Sequence, residues 1–223
     1  MKPTIIVNFK TYEQATGSRA ESLAKMHEKV REESGADVMV AVQNADIHRV
    51  SSSVSIPVLA QHADPVSYGS NTGHDMPECL KENGAWGVLI NHSEDRMPME
   101  EIKKTIERCK EAGLKTIVCA ENTAEGKDIV KMLPDYIAFE DPELIGTGRS
   151  VSANAPESVK GFSDMVDSFN REEGKEVVPL CGAGISTGDD VRKSIELGMH
   201  GVLVASAITK AENPESVLRE FVA

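Results

Sequence analysis

The sequence predicts an α/β fold, a single (β/α)8 barrel of eight parallel strands ringed by helices. Eight short aliphatic runs recur along the 223 residues, about one for every 28 (223 divided by eight). Segments with helical features separate these runs, as crossovers between parallel strands require. Aromatic residues make up only 4% of the chain, a composition that suits aliphatic strands buried beneath helices.

The predicted strands are short apolar runs that end in polar, glycine or other small residues. In chain order they are Thr4–Asn8, Asp37–Val42, Pro57–Gln61, Trp86–Asn91, Lys115–Ala120, Tyr136–Phe139, Glu176–Cys181 and Gly201–Ala205.

Four of the intervening segments carry clear helix signals. The clearest, from Pro98 to about Ala112, has apolar residues on one face, proline in its first turn and glycine just after its end. Another opens at Pro156, and the remaining two begin near Ser186 or Thr187 and at Pro214. Apolar residues recur with helical spacing after Pro156, at Val159, Phe162, Met165, Val166 and Phe169.

The least regular stretch, Asp64 to Asp75, reads as a protruding loop. No linker or change in composition divides the chain, so we expect residues 1–223 to form one domain. A doubly wound open sheet is the competing architecture. It would normally carry a glycine-rich fingerprint after its first strand, where this chain has Asn8-Phe9-Lys10.

Charge and composition exclude several kinds of partner. The formal net charge of −12 disfavours binding to nucleic acid or to an anionic membrane. The four cysteines are far apart in sequence and form no CxxC pair, which argues against a zinc knuckle or a disulfide scaffold. No apolar stretch is long enough to span a bilayer, and the N-terminus lacks a signal peptide. We therefore expect a cytoplasmic protein with reduced thiols.

The active site of a barrel enzyme lies at the carboxyl ends of its strands, so the polar residues at those ends are the candidates. They are Asn8, Lys10, Gln43, Asn44, Gln61, His62, Asn91, His92, Glu121 and Glu140. A carboxylate, a histidine and a lysine, without a recognisable set of metal ligands, suit proton transfer next to a carbonyl. Glu140 is the candidate base, and a structural ion pair is its alternative role. His92 is a candidate for polarising the carbonyl, and a hydrogen-bonded structural role is its alternative.

Two predicted strands end in small residues where this fold usually binds phosphate. Cys181-Gly182-Ala183-Gly184 follows the seventh strand, and Ala205-Ser206-Ala207 follows the eighth. Small residues let backbone N–H groups approach an anion. Tight turning is the alternative explanation of either motif alone, but the two together favour a phosphate site.

Several ordered motifs resemble the triosephosphate isomerase family over nearly the whole chain. They are NFK at Asn8–Lys10, NHSE at Asn91–Glu94, the TG of Thr72-Gly73, and FEDPELIGTG from Phe139, followed by the small-residue turns of the last two strands. The compact length and the spellings NHSE, DPELIGTG and CGAGIS look like the archaeal branch of that family.

The resemblance implies a TIM barrel that interconverts dihydroxyacetone phosphate and D-glyceraldehyde 3-phosphate without a cofactor or metal, in glycolysis and gluconeogenesis. It implies that Glu140 is the base, His92 the neutral electrophile and Lys10 the electrostatic stabiliser. Asn8 would bind the substrate, and Glu94 would support the site. Backbone groups of Ile145, Gly146, Gly184, Ala205 and Ser206 would bind the phosphate under a closing loop.

The resemblance also implies a homo-oligomer, a tetramer rather than a dimer, with Tyr68–Gly73 as an interface loop. The chain departs from the family's familiar pattern after Pro142, where Glu143 and Leu144 replace a valine and a tryptophan. Two other functions remain open. One is a different phosphate-binding barrel enzyme, an aldolase or synthase, although no lysine ends the sixth strand. The other is a catalytically silent sugar-phosphate-binding barrel.

Overall fold

The computed structural model describes residues 2–142 and 156–223 of the chain. Its eight strands are β1 Thr4–Asn8, β2 Asp37–Val42, β3 Val58–Ala60, β4 Gly87–Ile90, β5 Lys115–Ala120, β6 Tyr136–Phe139, β7 Val178–Cys181 and β8 Gly201–Val204. Each is parallel to the next, and β8 pairs with β1, so the sheet closes into the predicted barrel.

The described helices surround this barrel. They are α1 Ser18–Ser34, α2 Ile47–Ser51, α3 Pro77–Glu82, α4 Met99–Glu111, α5 Thr123–Ile129, α6 Pro156–Glu173, α7 Gly188–Glu196, α8 Ser206–Thr209 and α9 Pro214–Phe221. Short 3₁₀ helices occupy Glu13–Ala15, Asn44–Asp46 and Val130–Met132. The four predicted helices are confirmed as α4, α6, α7 and α9. Within residues 2–142 and 156–223, none of the helices has the length and hydrophobicity of a membrane span.

Successive side chains of a strand point to opposite faces of the sheet, so the apolar residues of the strands form two buried clusters. In β1, Ile6 points into the barrel, whereas Ile5 and Val7 face the helices. The barrel interior is filled by Ile6, Met39, Ala41, Leu59, Leu89, Ile117, Cys119, Ala138, Leu180 and Leu203. The barrel is therefore a packed core, and any ligand must bind at one of its ends.

Four strands have the predicted bounds, while β3, β4, β7 and β8 are shorter than predicted. Local side-chain and backbone geometry explains the differences. The backbone N–H of Gln61 donates to the Asn44 side chain at 3.2 Å instead of extending β3. Asn91 has a positive φ of 60°, which ends β4, and Ala205 becomes the N-cap of α8, which ends β8.

The segment from Asp64 to Asp75 contains no helix or strand, as predicted, and Tyr68 within it is 77% exposed. The backbones of Asp64 and Asp75 are joined by a hydrogen bond of 2.9 Å from the N–H of Asp64 to the carbonyl of Asp75. The loop therefore leaves and re-enters the barrel at one point, with its tip exposed.

Candidate active site

A cleft of about 260 Å³ opens at the carboxyl ends of β1, β4, β6, β7 and β8. Its lining residues come from five different strand ends, which the closed barrel brings to one side of the molecule. They are Asn8, Lys10, Tyr12, His92, Ser93, Glu94, Glu140, Gly182, Ala183, Gly184, Ile185, Leu203, Val204, Ala205 and Ser206.

Glu140 is the residue directly after β6, and it is only 3% exposed. Its backbone N–H donates to the carbonyl of Ala120 at 2.8 Å, which fixes the end of the strand. One carboxylate oxygen, Oε2, accepts a hydrogen bond of 2.8 Å from the backbone N–H of Ser93. A buried carboxylate is costly unless donors stabilise its charge, so this N–H holds the carboxylate in a defined place inside the cleft.

The imidazole of His92 faces the same carboxylate, with Nε2 3.2 Å from Oε1 of Glu140. The other ring nitrogen, Nδ1, accepts a hydrogen bond of 3.2 Å from the backbone N–H of Glu94. An N–H donor leaves Nδ1 without a proton, so in the neutral ring the proton lies on Nε2. The backbone thus selects the tautomer whose N–H points into the cleft.

Lys10 brings an ammonium group to the cleft from the loop after β1. Its backbone has a positive φ of 47°, a conformation that costs a non-glycine residue roughly 1–3 kcal/mol. The backbone N–H donates to Oδ1 of Asn8 at 2.9 Å, and Nζ lies 2.8 Å from Oε1 of Glu94. The Lys10 side chain is only 16% exposed, so Glu94 orients a largely buried charge.

Asn8 is 4% exposed and is held by Gln61, the residue directly after β3. Nε2 of Gln61 lies 3.1 Å from Oδ1 of Asn8, 3.1 Å from the carbonyl of Lys10 and 3.3 Å from the carbonyl of Ala41. These contacts fix the turn that carries Lys10, because they hold both the side chain of Asn8 and the backbone carbonyl of Lys10.

A second left-handed residue, Asn91, precedes His92. Its side-chain amide donates to the carbonyl of Cys119 at 2.9 Å, and its Oδ1 accepts from the N–H of Met97 at 2.9 Å. Arg96 donates to the Asn91 carbonyl at 3.0 Å and pairs with Glu125 at 3.3 Å. Arg96 therefore stabilises the strained turn before His92.

The backbone of Gly182, after β7, passes directly beneath Glu140. A Cβ atom at this position would lie 2.8 Å from Cγ of Glu140 and 3.1 Å from the carbonyl oxygen of Phe139. Only glycine fits there without moving the carboxylate, so this residue is required by close approach.

Cys119 lies below the site in the barrel interior. Burial raises the pKa of its thiol well above the usual range, and the nearby Glu140 carboxylate adds to the increase. The thiol is therefore protonated at neutral pH, which excludes Cys119 as a nucleophile.

The other end of the cleft consists mainly of small residues and backbone. Gly184, with a φ of +71°, follows β7, and Ala205 and Ser206 lie at the junction of β8 and α8. Tyr12 forms part of the rim, and Nζ of Lys210 lies 3.9 Å from the centre of its ring. Backbone groups with a nearby cation suit an anionic group on a ligand.

The cleft is lined by the described residues to which the resemblance assigns a role, whereas six of the strand-end candidates lie outside its lining: Gln43, Asn44, Gln61, His62, Asn91 and Glu121. The lining residues with an assigned role are Asn8, Lys10, His92, Glu94, Glu140, Gly184, Ala205 and Ser206. Ile145 and Gly146, with the predicted closing loop, lie outside the described residues.

Sequence reasoning missed two contributors to the site: the backbone N–H of Ser93 and the close approach at Gly182. It singled out Gln61 as a strand-end candidate but did not predict that its side chain holds Asn8 and the turn of Lys10. Ser93 acts through its backbone and therefore gives no signal in its residue type. Across residues 2–142 and 156–223, no group of three or more histidine, cysteine or acidic residues is placed to hold a metal ion.

Comparison with known proteins gives one consistent result. The family described as triosephosphate isomerase matches residues 3–221 of the chain. A protein of Methanocaldococcus jannaschii with that name is 47% identical over 218 residues, which cover 98% of each chain. Relatives with the same name from Methanobacterium bryantii and Methanosarcina mazei are 47% and 45% identical, over 99% of this chain and 96% and 97% of theirs.

Proposed function

The chain belongs to the triosephosphate isomerase family, and we propose that Glu140, His92 and Lys10 carry out its reaction, the interconversion of dihydroxyacetone phosphate and D-glyceraldehyde 3-phosphate. The observation that carries the residue assignment is the convergence of the three side chains on one cleft. Nε2 of His92 lies 3.2 Å from the Glu140 carboxylate, and Lys10 lines the same space.

The first chemical step is removal of a proton from carbon. Glu140 takes a proton from the carbon next to the ketone of dihydroxyacetone phosphate, and the electrons of that C–H bond form a carbon–carbon double bond. The carbonyl oxygen then carries the negative charge of an enediolate. The Nε2–H of His92 and the ammonium of Lys10 stabilise this charge, and their effect is strengthened because the two side chains are only 11% and 16% exposed.

The second step returns the proton. After a proton moves between the two enediolate oxygens, protonated Glu140 donates to the neighbouring carbon, and the aldehyde forms. Asn8 supports this arrangement because its side chain holds the turn of Lys10. Glu94 supports it by pairing with the ammonium of Lys10 at 2.8 Å. The proton lost by carbon is the proton regained, unless it exchanges with solvent while it is on Glu140.

We assign the phosphate of the substrate to the small-residue end of the cleft. Gly184, Ala205 and Ser206 line that end, and Ile145 and Gly146 are expected to add backbone contacts from the loop after β6. The phosphate then lies on the side of the last two strands, and the reacting carbons lie beside the facing side chains of Glu140 and His92.

An isomerase assay with a solvent-isotope readout tests the proposal. The purified protein should convert D-glyceraldehyde 3-phosphate to dihydroxyacetone phosphate in a coupled assay. In deuterium oxide the product should carry deuterium on carbon, because the proton on the base exchanges with solvent. Turnover without isotope incorporation would mean that the transferred hydrogen does not exchange with solvent, and the role of Glu140 as base would then be tested by the loss of turnover in Glu140→Gln. Binding of the substrate without turnover would instead favour a silent sugar-phosphate-binding barrel.

We propose that residues 1–223 form a single barrel domain, located in the cytoplasm. Pairing of β1 with β8 in one barrel supports a single domain. The four free cysteines, one of which is exposed, suit a reducing compartment, as does a reaction of central sugar metabolism. Localisation of the tagged protein in cell fractions tests this assignment.

We also propose a homotetramer in which the Tyr68–Gly73 loop forms part of an interface. Tyr68, a large side chain that is 77% exposed at the loop tip, supports this assignment because such residues are enriched at interfaces. Light scattering after size-exclusion chromatography should give four times the chain mass of 24.1 kDa. The Tyr68→Asp variant should give a smaller species, and a wild-type monomer would contradict the proposal.

A further inference from the structure

We propose that His62 is a positioning residue for His92, and that its imidazolium form ties the Asp64–Asp75 loop to the catalytic turn through Asp95. The proposal rests on the proposed function, because it concerns the histidine that acts in the isomerase reaction. His62 lies outside the residues that line the cleft, so its action is indirect.

Both ring nitrogens of His62 face carboxylates. Nδ1 lies 3.2 Å from Oδ2 of Asp95, and Nε2 lies 3.3 Å from Oδ1 of Asp64. A neutral imidazole has only one N–H and can donate to only one of these groups, whereas the imidazolium donates to both. With the His62 side chain 31% exposed, the geometry is that of a charged bridge that is partly shielded from solvent.

Asp95 connects the bridge to the catalytic histidine. Its backbone N–H donates to the carbonyl of His92 at 2.8 Å, closing the turn that contains Glu94. That same turn directs the N–H of Glu94 to Nδ1 of His92. A movement of Asp95 would therefore change the hydrogen bond that sets the tautomer and orientation of the catalytic ring.

Asp64 provides a fixed anchor on the other side. Burial opposes its ionisation, but the backbone N–H of Asp75 and hydrogen bonds from His74 and His62 outweigh burial and lower its pKa. Asn44 adds a hydrogen bond of 2.7 Å to Asp75. The charged or titratable groups around the bridge are thus Asp64 and Asp95 on His62, and His74 on Asp64 at 3.2 Å.

The His62→Gln variant tests the bridge against a matched control. Glutamine retains hydrogen bonding without the charge, so kcat should fall about two- to fivefold, as for a partly exposed charge pair. KM should be unchanged because the phosphate end is not touched. His74→Gln removes a histidine whose ring pairs with the same Asp64 rather than with Asp95, and it should retain the wild-type kcat.

A further readout separates positioning from general stability. The effects of His62→Gln and Asp95→Asn on kcat should be non-additive, because either change breaks the same link. Additive effects would overturn the proposal.

A direct measurement of protonation completes the test. Nitrogen-15 spectra of the wild-type protein should show protons on both ring nitrogens of His62, as its two carboxylate partners require. A neutral His62 would overturn the proposal even if the variants fail to fold. Failure of the isomerase function is distinguishable, since it would appear as an inactive wild-type protein whatever the state of His62.

Discussion

The Nδ1 atom of His92 accepts a hydrogen bond from the backbone N–H of Glu94 at 3.2 Å, and this contact determines which ring nitrogen carries the proton. The opposite nitrogen then faces Glu140 at 3.2 Å. A single turn, Asn91 to Asp95, therefore orients both the electrophile His92 and the base Glu140. The contacts that hold this turn also hold the two side chains in position.

Replacement of Glu140 by glutamine should remove the base while preserving the shape of the cleft. We expect kcat to fall roughly a hundredfold to ten-thousandfold, the range typical of a lost general base. Binding of a phosphate-containing substrate analogue should change little, because the phosphate end is intact. Steady-state kinetics and calorimetry check the two parts. Near-normal turnover would remove Glu140 from the role of base, and Glu82→Gln, on the exposed end of α3, serves as the control.

Replacement of Lys10 by methionine should remove the cation of the cleft without removing its aliphatic stem. We expect kcat/KM to fall by about a hundredfold to a thousandfold, because the developing oxyanion loses a charged donor. The matched control is Lys104→Met on the outer face of α4, where the side chain is 58% exposed. Wild-type kinetics in Lys10→Met would place the lysine outside the reaction.

Replacement of Gly182 by alanine should displace the base, because the new Cβ would lie 2.8 Å from Cγ of Glu140. A shift of about 1 Å costs roughly a hundredfold in rate, and we expect that loss in kcat. Gly161→Ala is the matched control, since its Cβ would meet no atom within 4 Å in α6. A crystal structure of the Gly182→Ala variant should show the carboxylate moved. An unmoved carboxylate with normal turnover would contradict the prediction.

His27 should make the stability of the fold sensitive to acid. Complete burial lowers its pKa from 6.5 to about 4, although a hydrogen bond to the Leu23 carbonyl acts in the other direction. As the pH falls from 6.5 towards 4, the unfolded chain gains a proton at His27 and the folded chain does not. The free energy of unfolding should therefore decrease with falling pH, by up to ~3 kcal/mol from this group.

Denaturant titrations of the wild type and of His27→Leu across that pH range measure the contribution of His27. The variant should lose less stability on acidification than the wild type, whatever its stability at neutral pH. His48→Leu, at an exposed position on α2, should leave the pH dependence unchanged. Equal slopes for wild type and His27→Leu would show that the buried ring does not titrate as expected.

The strands and the helices with strong apolar faces could be predicted from the sequence, whereas α1 could not. The buried face of α1 consists of Ala20, Ala24, His27 and Val30, so small residues and a histidine replace the large aliphatic stripe that identifies α4. Its position is set by packing against α9 and β2, which a local pattern does not contain. The barrel closure was predictable because eight repeated units admit few other topologies.

The catalytic side chains of the candidate site could be predicted from the sequence, whereas the backbone contacts that orient them could not. Lys10, His92 and Glu140 lie at or just after strand ends, and a lysine, a histidine and a carboxylate at such positions indicate an acid–base site. The contacts that orient them come from the N–H groups of Ser93 and Glu94 and from the space left by Gly182. These contacts depend on the three-dimensional register of β4, β6 and β7, which no residue type reveals.

The left-handed backbones of Lys10 and Asn91 have an evolutionary consequence. Glycine at Lys10 would relieve the strain, so a laboratory selection for heat resistance alone should enrich Lys10→Gly. Asn91→Gly should not be enriched, because it would also remove the buried side-chain amide that holds the turn before His92. Survivors that carry Lys10→Gly should be heat-resistant and nearly inactive, because they lack the ammonium.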